Sequence, residues 1–327
     1  MRMRAFVTGG TGFVGTHLCR FLMSSGYEVA TAAVAPRREC LSSTMMHFGI
    51  NILDQSRLKD ALAQFRPDEV YHLAALSSVP QSRENLRATY EVNVVGTFNV
   101  LEAVRQTVPE ATVLNVSTAQ VYAETDAAIE ESFPIRPGNP YAASKAMAEL
   151  LASQYAHTEG VKVVTVRSFN HTGPGQSADF VLSAFALQIA RIAAGLQQAV
   201  VTTGELEVER DFTDVRDVVR AYNGLLRQPC PGEIYNVCSG RAYSLSWLLL
   251  KMKETAGVEF AIRRDPGRTR PAQPRRLCGN PAKILSHTGW QTAIPLHQTL
   301  KDLLVFWRSQ VACGVEPSSV RSHPVST

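Results

Sequence analysis

The run Arg4-Ala5-Phe6-Val7-Thr8 passes without a break into Gly9-Gly10-Thr11-Gly12-Phe13-Val14-Gly15, after which a helical period begins. A strand, a glycine turn and a helix in that order leave the first N–H groups of the helix unpaired at the carboxyl end of the strand, where a pyrophosphate binds. Gly9, Gly12 and Gly15 are assigned to the tight turn, the close approach of the phosphates and the close packing of helix on strand. Thr11, Phe13 and Val14 fall in the same cradle. The competing reading is an ordinary βα turn. Residues 4–8, 28–34, 69–73, 112–116 and 161–166 read as strands, nearly all apolar, as expected of strands covered by helices on both faces. Residues 13–25, 55–65, 89–106 and 141–157 read as the helices between them. That alternation specifies an α/β fold, a Rossmann-type doubly wound parallel sheet.

With 327 residues and 45% hydrophobic content the chain can fill a sizeable core. The dinucleotide-binding domain is placed at 1–169, the helix of 141–157 included. From 170 the pattern loosens into Gly- and Pro-rich loops, a helix at 180–194 and a second small α/β region. This part, 170–310, reads as a smaller substrate-binding lobe with segments returning to the first domain, because no low-complexity linker separates the two. Residues 311–327 lack periodicity and read as a frayed tail. No 18-residue apolar run occurs and a strand-like segment follows Met1 at once, so the expectation is a cytoplasmic protein without membrane span or leader. A net charge of +4 gives no reason to expect a nucleic-acid partner, and six scattered cysteines without CxxC spacing predict neither a metal site nor a disulfide framework. Arg263, Arg264, Arg268, Arg270, Arg275 and Arg276 do crowd one stretch, which suits a phosphate-bearing ligand as well as it suits a solvated basic loop.

At the end of the second strand an NAD-specific site offers Asp or Glu to the adenosine ribose, whereas this chain has Ala33-Val34-Ala35-Pro36-Arg37-Arg38. Arg37 there suits a 2′-phosphate, so NADPH is the expected cofactor, with NADH the alternative.

Tyr141 and Lys145 stand at i and i+4 of a helix and emerge on one face. A phenol near pKa ~10 is a poor base at neutral pH, and a nearby ammonium is expected to lower that value. Tyr141 can then exchange a proton with a hydroxyl or ketone while a hydride moves to or from a nicotinamide. Ser117 and Thr118 follow a strand at the carboxyl edge of the sheet, where Thr118 can hydrogen-bond the reacting oxygen. Taken singly, each of these is more often a helix surface pair or a cap.

In this order the residues resemble the extended short-chain dehydrogenase/reductases, the nucleotide-sugar epimerases, dehydratases and reductases. The resemblance spans about residues 3–308 and rests on Thr8 through Gly15, on Leu73-Ala74-Ala75, on Asn93 in Asn-Val-Val-Gly-Thr, and on Ser117, Thr118, Tyr141 and Lys145. It implies cofactor contacts at these positions and at Asn51, Ile52 and Phe169, a catalytic triad of Thr118, Tyr141 and Lys145, and a homodimer through the helices at 89–106 and 141–157. The chain departs from the pattern twice. Asn51-Ile52 stands where the family has an acidic residue against the adenine, and Ala123 replaces the Gly that follows Val-Tyr.

The family's dehydratases carry a Glu just after the catalytic Thr that removes the C5 proton, whereas this chain has Thr118-Ala119-Gln120. An amide has no titratable proton at neutral pH, so the resemblance excludes dehydration and leaves a 4-ketoreductase or a 4-epimerase. Arg167 through Gln176, Phe180-Val181, Arg210 through Asp217 and Ile234 through Gly240 resemble the GDP-4-dehydro-6-deoxy-D-mannose reductase subgroup. That subgroup implies a GDP-sugar held by Asn170, Val181, Arg210 and Arg270, with Gln273 replacing a Glu and Arg191 a further candidate. Guanidinium forks grip diphosphate oxygens bidentately, and an amide can read a base or ribose edge. GDP-D-rhamnose, GDP-6-deoxy-D-talose and a 6-deoxy-heptose remain open as products. A protein that binds NADP(H) as a sensor without turnover is the rival from another class.

Overall fold

The computed structural model describes residues 2–36, 41–268 and 274–314. Arg37, Arg270, Gln273 and the tail from 315 lie outside them, as does Arg38. β1 (Arg4–Thr8) turns through the glycines into α1 (Phe13–Ser24), and β2 (Glu28–Ala32), β3 (Met46–Phe48) and α2 (Gln55–Phe65) follow. β2 stops short of the expected residue 34 because the Gly9 N–H bonds to the Ala32 carbonyl at 2.8 Å, closing the ladder with the glycine turn itself. Asp54 caps α2 by accepting from the Arg57 N–H, and the helix ends at Arg66 in a left-handed conformation, φ 49°.

β4 (Glu69–His72) leads to α3 (Val79–Glu84), α4 (Leu86–Tyr90) and α5 (Gly96–Thr107). The single helix expected over 89–106 is interrupted by a π turn at Glu91–Val95, which carries Asn93. β5 (Thr112–Thr118), α6 (Pro140–Thr158) and β6 (Lys162–Ser168) complete the half. β5 runs through Ser117 and Thr118, which pair with Arg167 and Ser168.

Beyond residue 170 come β7 (Asn170–Thr172), α7 (Val181–Ala193), β8 (Val200–Thr203), β9 (Glu209–Asp214), α8 (Val215–Arg227), β10 (Ile234–Val237), β11 (Ala242–Ser244), α9 (Leu245–Ala256), β12 (Ala261–Arg264), β13 (Arg276–Leu277), α10 (Ala282–Thr288) and α11 (Leu296–Ala312). The last helix runs past residue 311, where a tail is expected, because Leu300, Leu303, Leu304 and Trp307 bury one face of it against α7 and α9.

The described residues form a parallel sheet in the order β10-β6-β5-β4-β1-β2-β3. Order reverses between β1 and β4, so the glycine loop and the segment after His72 face each other across the switch point. One face is packed by α1 and α8 around Leu18, Leu22, Val218 and Tyr222, the other by α2, α5 and α6 around Leu58, Leu62, Val100 and Tyr155. A separate core of α7, α9 and α11 underlies the smaller sheets, β11-β9-β13 with β7 on β9, and β12 on β8. Among the described residues no helix is long and apolar enough to cross a membrane.

Candidate active site

Gly9 has φ 71°, and a Cβ there would stand 2.9 Å from the Ala74 backbone nitrogen. A Cβ on Gly15 would stand 2.2 Å from the Gly9 carbonyl oxygen, and one on Gly10 would meet Thr31. Gly10 is therefore as constrained as Gly9 and Gly15, whereas a Cβ on Gly12 would meet only the Gly9 carbonyl oxygen, at 3.1 Å. The constraint on Gly10 comes from β2, which a local motif does not reveal. Gly12 is exposed at the N-cap of α1, its N–H bonding the Gly9 carbonyl at 2.9 Å. Thr11 is buried beside it, and Phe13 and Val14 are half-buried in the first turn. Ser117 Oγ, at the carboxyl end of β5, is buried without a hydrogen-bond partner among the described residues. A tight cradle at a helix N-terminus and an orphaned buried hydroxyl fit a dinucleotide with polar groups at both ends.

Of the other expected cofactor residues, Asn51 turns its side chain onto the Leu53 N–H at 3.1 Å. Ile52 is buried under Gly96, where a Cβ would come within 2.4 Å of Ile52 Cδ1. Phe169 packs with Tyr122, Cys238 and Leu277 in a small core next to Gly279. Asn93 grips the loop after β4 from both sides, its Oδ1 accepting from the Leu76 N–H at 2.8 Å and its Nδ2 donating to the Leu76 carbonyl at 3.1 Å. The same Nδ2 donates to Ser144 Oγ at 2.9 Å, and Ser144 donates to the Tyr141 carbonyl at 2.8 Å. The π turn is what swings this amide inward between that loop and α6.

Thr118, at the end of β5, stands beside Tyr141, in the first turn of α6, and its hydroxyl favours the ionised phenol. Tyr141 and Lys145 are both buried. Burial pushes the Tyr141 hydroxyl up to about 12, with Thr118 opposing. Burial pulls Lys145 down to about 8, with the Glu149 carboxylate opposing. This corrects the sequence expectation of a tyrosine lowered by its lysine: desolvation of the phenol dominates, opposed by Thr118 and not by the ammonium, and Tyr141 stands as a protonated acid at neutral pH.

Residues that spacing does not single out hold this pair. Asn139 caps α6 by accepting from the Ala142 N–H at 2.9 Å, and its Nδ2 donates to Gln120 Oε1 at 3.1 Å. Glu149, one turn beyond Lys145, is bonded by the Arg167 guanidinium in a fully buried pair with the shortest contact at 2.7 Å. Arg167 also lies over the Tyr122 ring, 4.7 Å from its centre.

On the other side of the site, Asn170 opens β7 opposite Phe212, and His171 stacks on Phe13 with ring centres 6.3 Å apart. His17 Nε2 meets the Pro174 carbonyl at 2.8 Å, so the loop after β7 rests on α1. Val181 begins α7. Arg191, in its last turn, lines a cavity of about 470 Å³ with Gln188, Thr202 and Arg263. Arg210 in β9 is buried, its Nη1 donating to the Glu209 and Arg275 carbonyls at 2.7 and 3.3 Å. In the arginine cluster, Arg264 pairs with Glu205 and Arg276 with Glu209. Among the described residues no group of His, Cys, Asp or Glu is arranged to hold a metal ion.

The family model for GDP-mannose 4,6 dehydratase matches residues 6–303. A GDP-6-deoxy-D-mannose reductase from Pseudomonas aeruginosa is 38% identical over 95% of this chain and 99% of its own length. The solved structure of RMD from Pseudomonas aeruginosa complexed with NADPH superposes with a TM-score of 0.84 at 37% identity, covering 94% of this chain and 99% of that one. Thermus thermophilus UDP-glucose 4-epimerase in complex with NAD superposes with a TM-score of 0.85 at 32% identity, covering 94% and 99%.

Proposed function

The chain belongs to the GDP-mannose 4,6 dehydratase family, and from that premise we propose that it reduces the 4-keto group of GDP-4-dehydro-6-deoxy-D-mannose with NADPH, giving GDP-D-rhamnose. The observation that carries this reading is Gln120 beside an intact Thr118, Tyr141 and Lys145. Elimination of water needs a titratable group next to the catalytic threonine, and here an amide stands there, its carbonyl taken by Asn139. Reduction needs a proton donor, and Tyr141 is held protonated.

The glycine cradle, Leu73-Ala74-Ala75 and Ser117 hold the cofactor, which when bound supplies the hydride. Thr118 and Tyr141 grip the C4 oxygen, and Tyr141 gives it a proton as the alcohol forms. Lys145 keeps the positive charge that eases that transfer, and Glu149 keeps Lys145 charged by opposing the effect of burial. The diphosphate and base belong to the lobe that carries Asn170, Val181, Arg191 and Arg210, with Arg270 and Gln273 from outside the described residues. The exposed faces of α5 and α6 are the proposed homodimer surface.

Incubation with GDP-mannose alone should leave it unchanged. Given GDP-4-dehydro-6-deoxy-D-mannose, the protein should oxidise one NADPH per 6-deoxy sugar formed, with GDP-D-rhamnose identified by NMR. Water loss from GDP-mannose, or turnover without net cofactor oxidation as in an epimerase, overturns the assignment. GDP-6-deoxy-D-talose as product would keep the reduction and reverse the stereochemistry.

A further inference from the structure

His72 ends β4 just before Leu73-Ala74-Ala75 and is completely enclosed. Its ring bridges two threonines. Nδ1 lies 2.8 Å from Thr8 Oγ1 at the end of β1, and Nε2 lies 3.0 Å from Thr97 Oγ1 in the first turn of α5. Which nitrogen carries the proton follows from the threonines. Thr97 spends its one hydroxyl proton on the Asn93 carbonyl oxygen at 2.7 Å, and a carbonyl has nothing to give back. Nε2 must therefore donate to Thr97. Nδ1 is then an acceptor, so Thr8 donates to it, and the lone pair of Thr8 Oγ1 takes the Ala74 N–H at 3.2 Å. Each proton has one place to go, and the chain of bonds runs in a single direction from the Ala74 amide to the Asn93 carbonyl.

The residue at the end of that chain is the one whose side chain grips Leu76 and, through Ser144, the Tyr141 carbonyl. At its start, Ala74 is the backbone against which Gly9 packs at a distance that excludes a Cβ. We infer that His72, as its neutral Nε2–H tautomer, is a positioning residue for the reduction, tying the dinucleotide loop to the backbone of the proton donor through Thr8, Thr97, Asn93 and Ser144. The inference rests on the reading that Tyr141 is that donor. Burial and the nearby Lys145 both disfavour an imidazolium, pulling His72 down to about 3, in keeping with a ring that never carries charge in the working range.

The network is tested on the full chain with two readouts, NADPH affinity from its fluorescence and kcat for the keto sugar. Thr97→Val keeps shape and removes both of its bonds, and His72→Phe keeps a ring and removes both of its own. Each should weaken NADPH binding and lower kcat by about tenfold, the equivalent of one buried hydrogen bond. His72→Gln, which can still donate toward Thr97, should recover part of the kcat loss. In a double-mutant cycle for kcat, Thr97→Val and Ser144→Ala should fall short of additivity by at least about threefold, because either one already breaks the tie to Tyr141. The 15N spectrum should show one imidazole, absent in His72→Gln, in the neutral Nε2–H form. A folded Thr97→Val with unchanged NADPH affinity and kcat, or strict additivity in the cycle, or an Nδ1–H tautomer, overturns the inference. Failure of the wild type to reduce the keto sugar would instead sink the proposed reaction, while the affinity and tautomer measurements still judge the network.

Discussion

At the scale of single residues, the decisive quantity is the protonation of two buried groups. Tyr141→Phe removes the proton while leaving the ring in place, so kcat should drop by on the order of 10² to 10⁴-fold with NADPH affinity nearly unchanged, measured by steady-state kinetics and fluorescence titration. Lys145 gives up its proton near pH 8 in the folded chain, against about 10.4 when unfolded. The reduction rate should therefore fall as pH rises through about 8, with a slope of one proton. Stability moves the opposite way. Between pH 8 and about 10.4 the unfolded chain holds a proton that the folded chain has lost, so this group alone makes stability rise with pH. Tyr141 and Lys145 were legible in the sequence because i and i+4 on a helix is a local relation. The partners Asn139–Gln120, Glu149–Arg167 and His72–Thr97 were not, because each joins residues brought together only by strand order and helix packing.

At the scale of elements, α6 is fixed at its start by the Asn139 cap and in its middle by Arg167 reaching from β6. Glu149→Gln leaves a buried guanidinium without its counter-charge, a loss of about 3–5 kcal/mol in denaturant unfolding. It also removes the carboxylate that holds Lys145 up, so the alkaline limb of the rate profile should move below about 8. An unshifted limb in a folded variant would show that Glu149 acts on stability alone. β1 and α2 emerge with the bounds that periodicity assigns, since apolar runs and an Asp cap are written in adjacent residues. β3 did not stand out, being a short edge strand whose pattern carries no alternation. The π turn did not either, because one extra residue within a helix leaves no periodic mark, and its position only makes sense once Asn93 is seen to reach Leu76 and Ser144.

At the scale of the molecule, α5 and α6 carry apolar side chains that the described residues leave uncovered: Phe98, Met147 and Leu150, the last 71% exposed. Apolar groups on two adjacent helices fit a self-complementary two-fold interface. Light scattering should give twice the chain mass, and Leu150→Arg should shift it toward the monomer with Tyr141 chemistry intact; a wild-type monomer at micromolar concentration contradicts the proposal. The doubly wound sheet was legible because its alternation repeats over the first half of the chain. The return of some later segments to the first domain was expected too, but not which ones. β10 lies at the edge of the first sheet beside β6, and α8 packs under β5 and β6 with α1, although both lie between strands of the smaller sheets in sequence. That weave governs how such a chain can be cut and how it can move. A fragment ending near residue 169 would bare Leu18, Leu22, Tyr71 and Val166 where Val218, Tyr222 and Tyr235 now cover them, and should be recovered only as aggregate. Since the chain passes between the two parts repeatedly, the parts share no single hinge. New substrate preferences are then open to exchange of surface loops, such as the one after β7 that leans on α1, and closed to the grafting of a whole lobe.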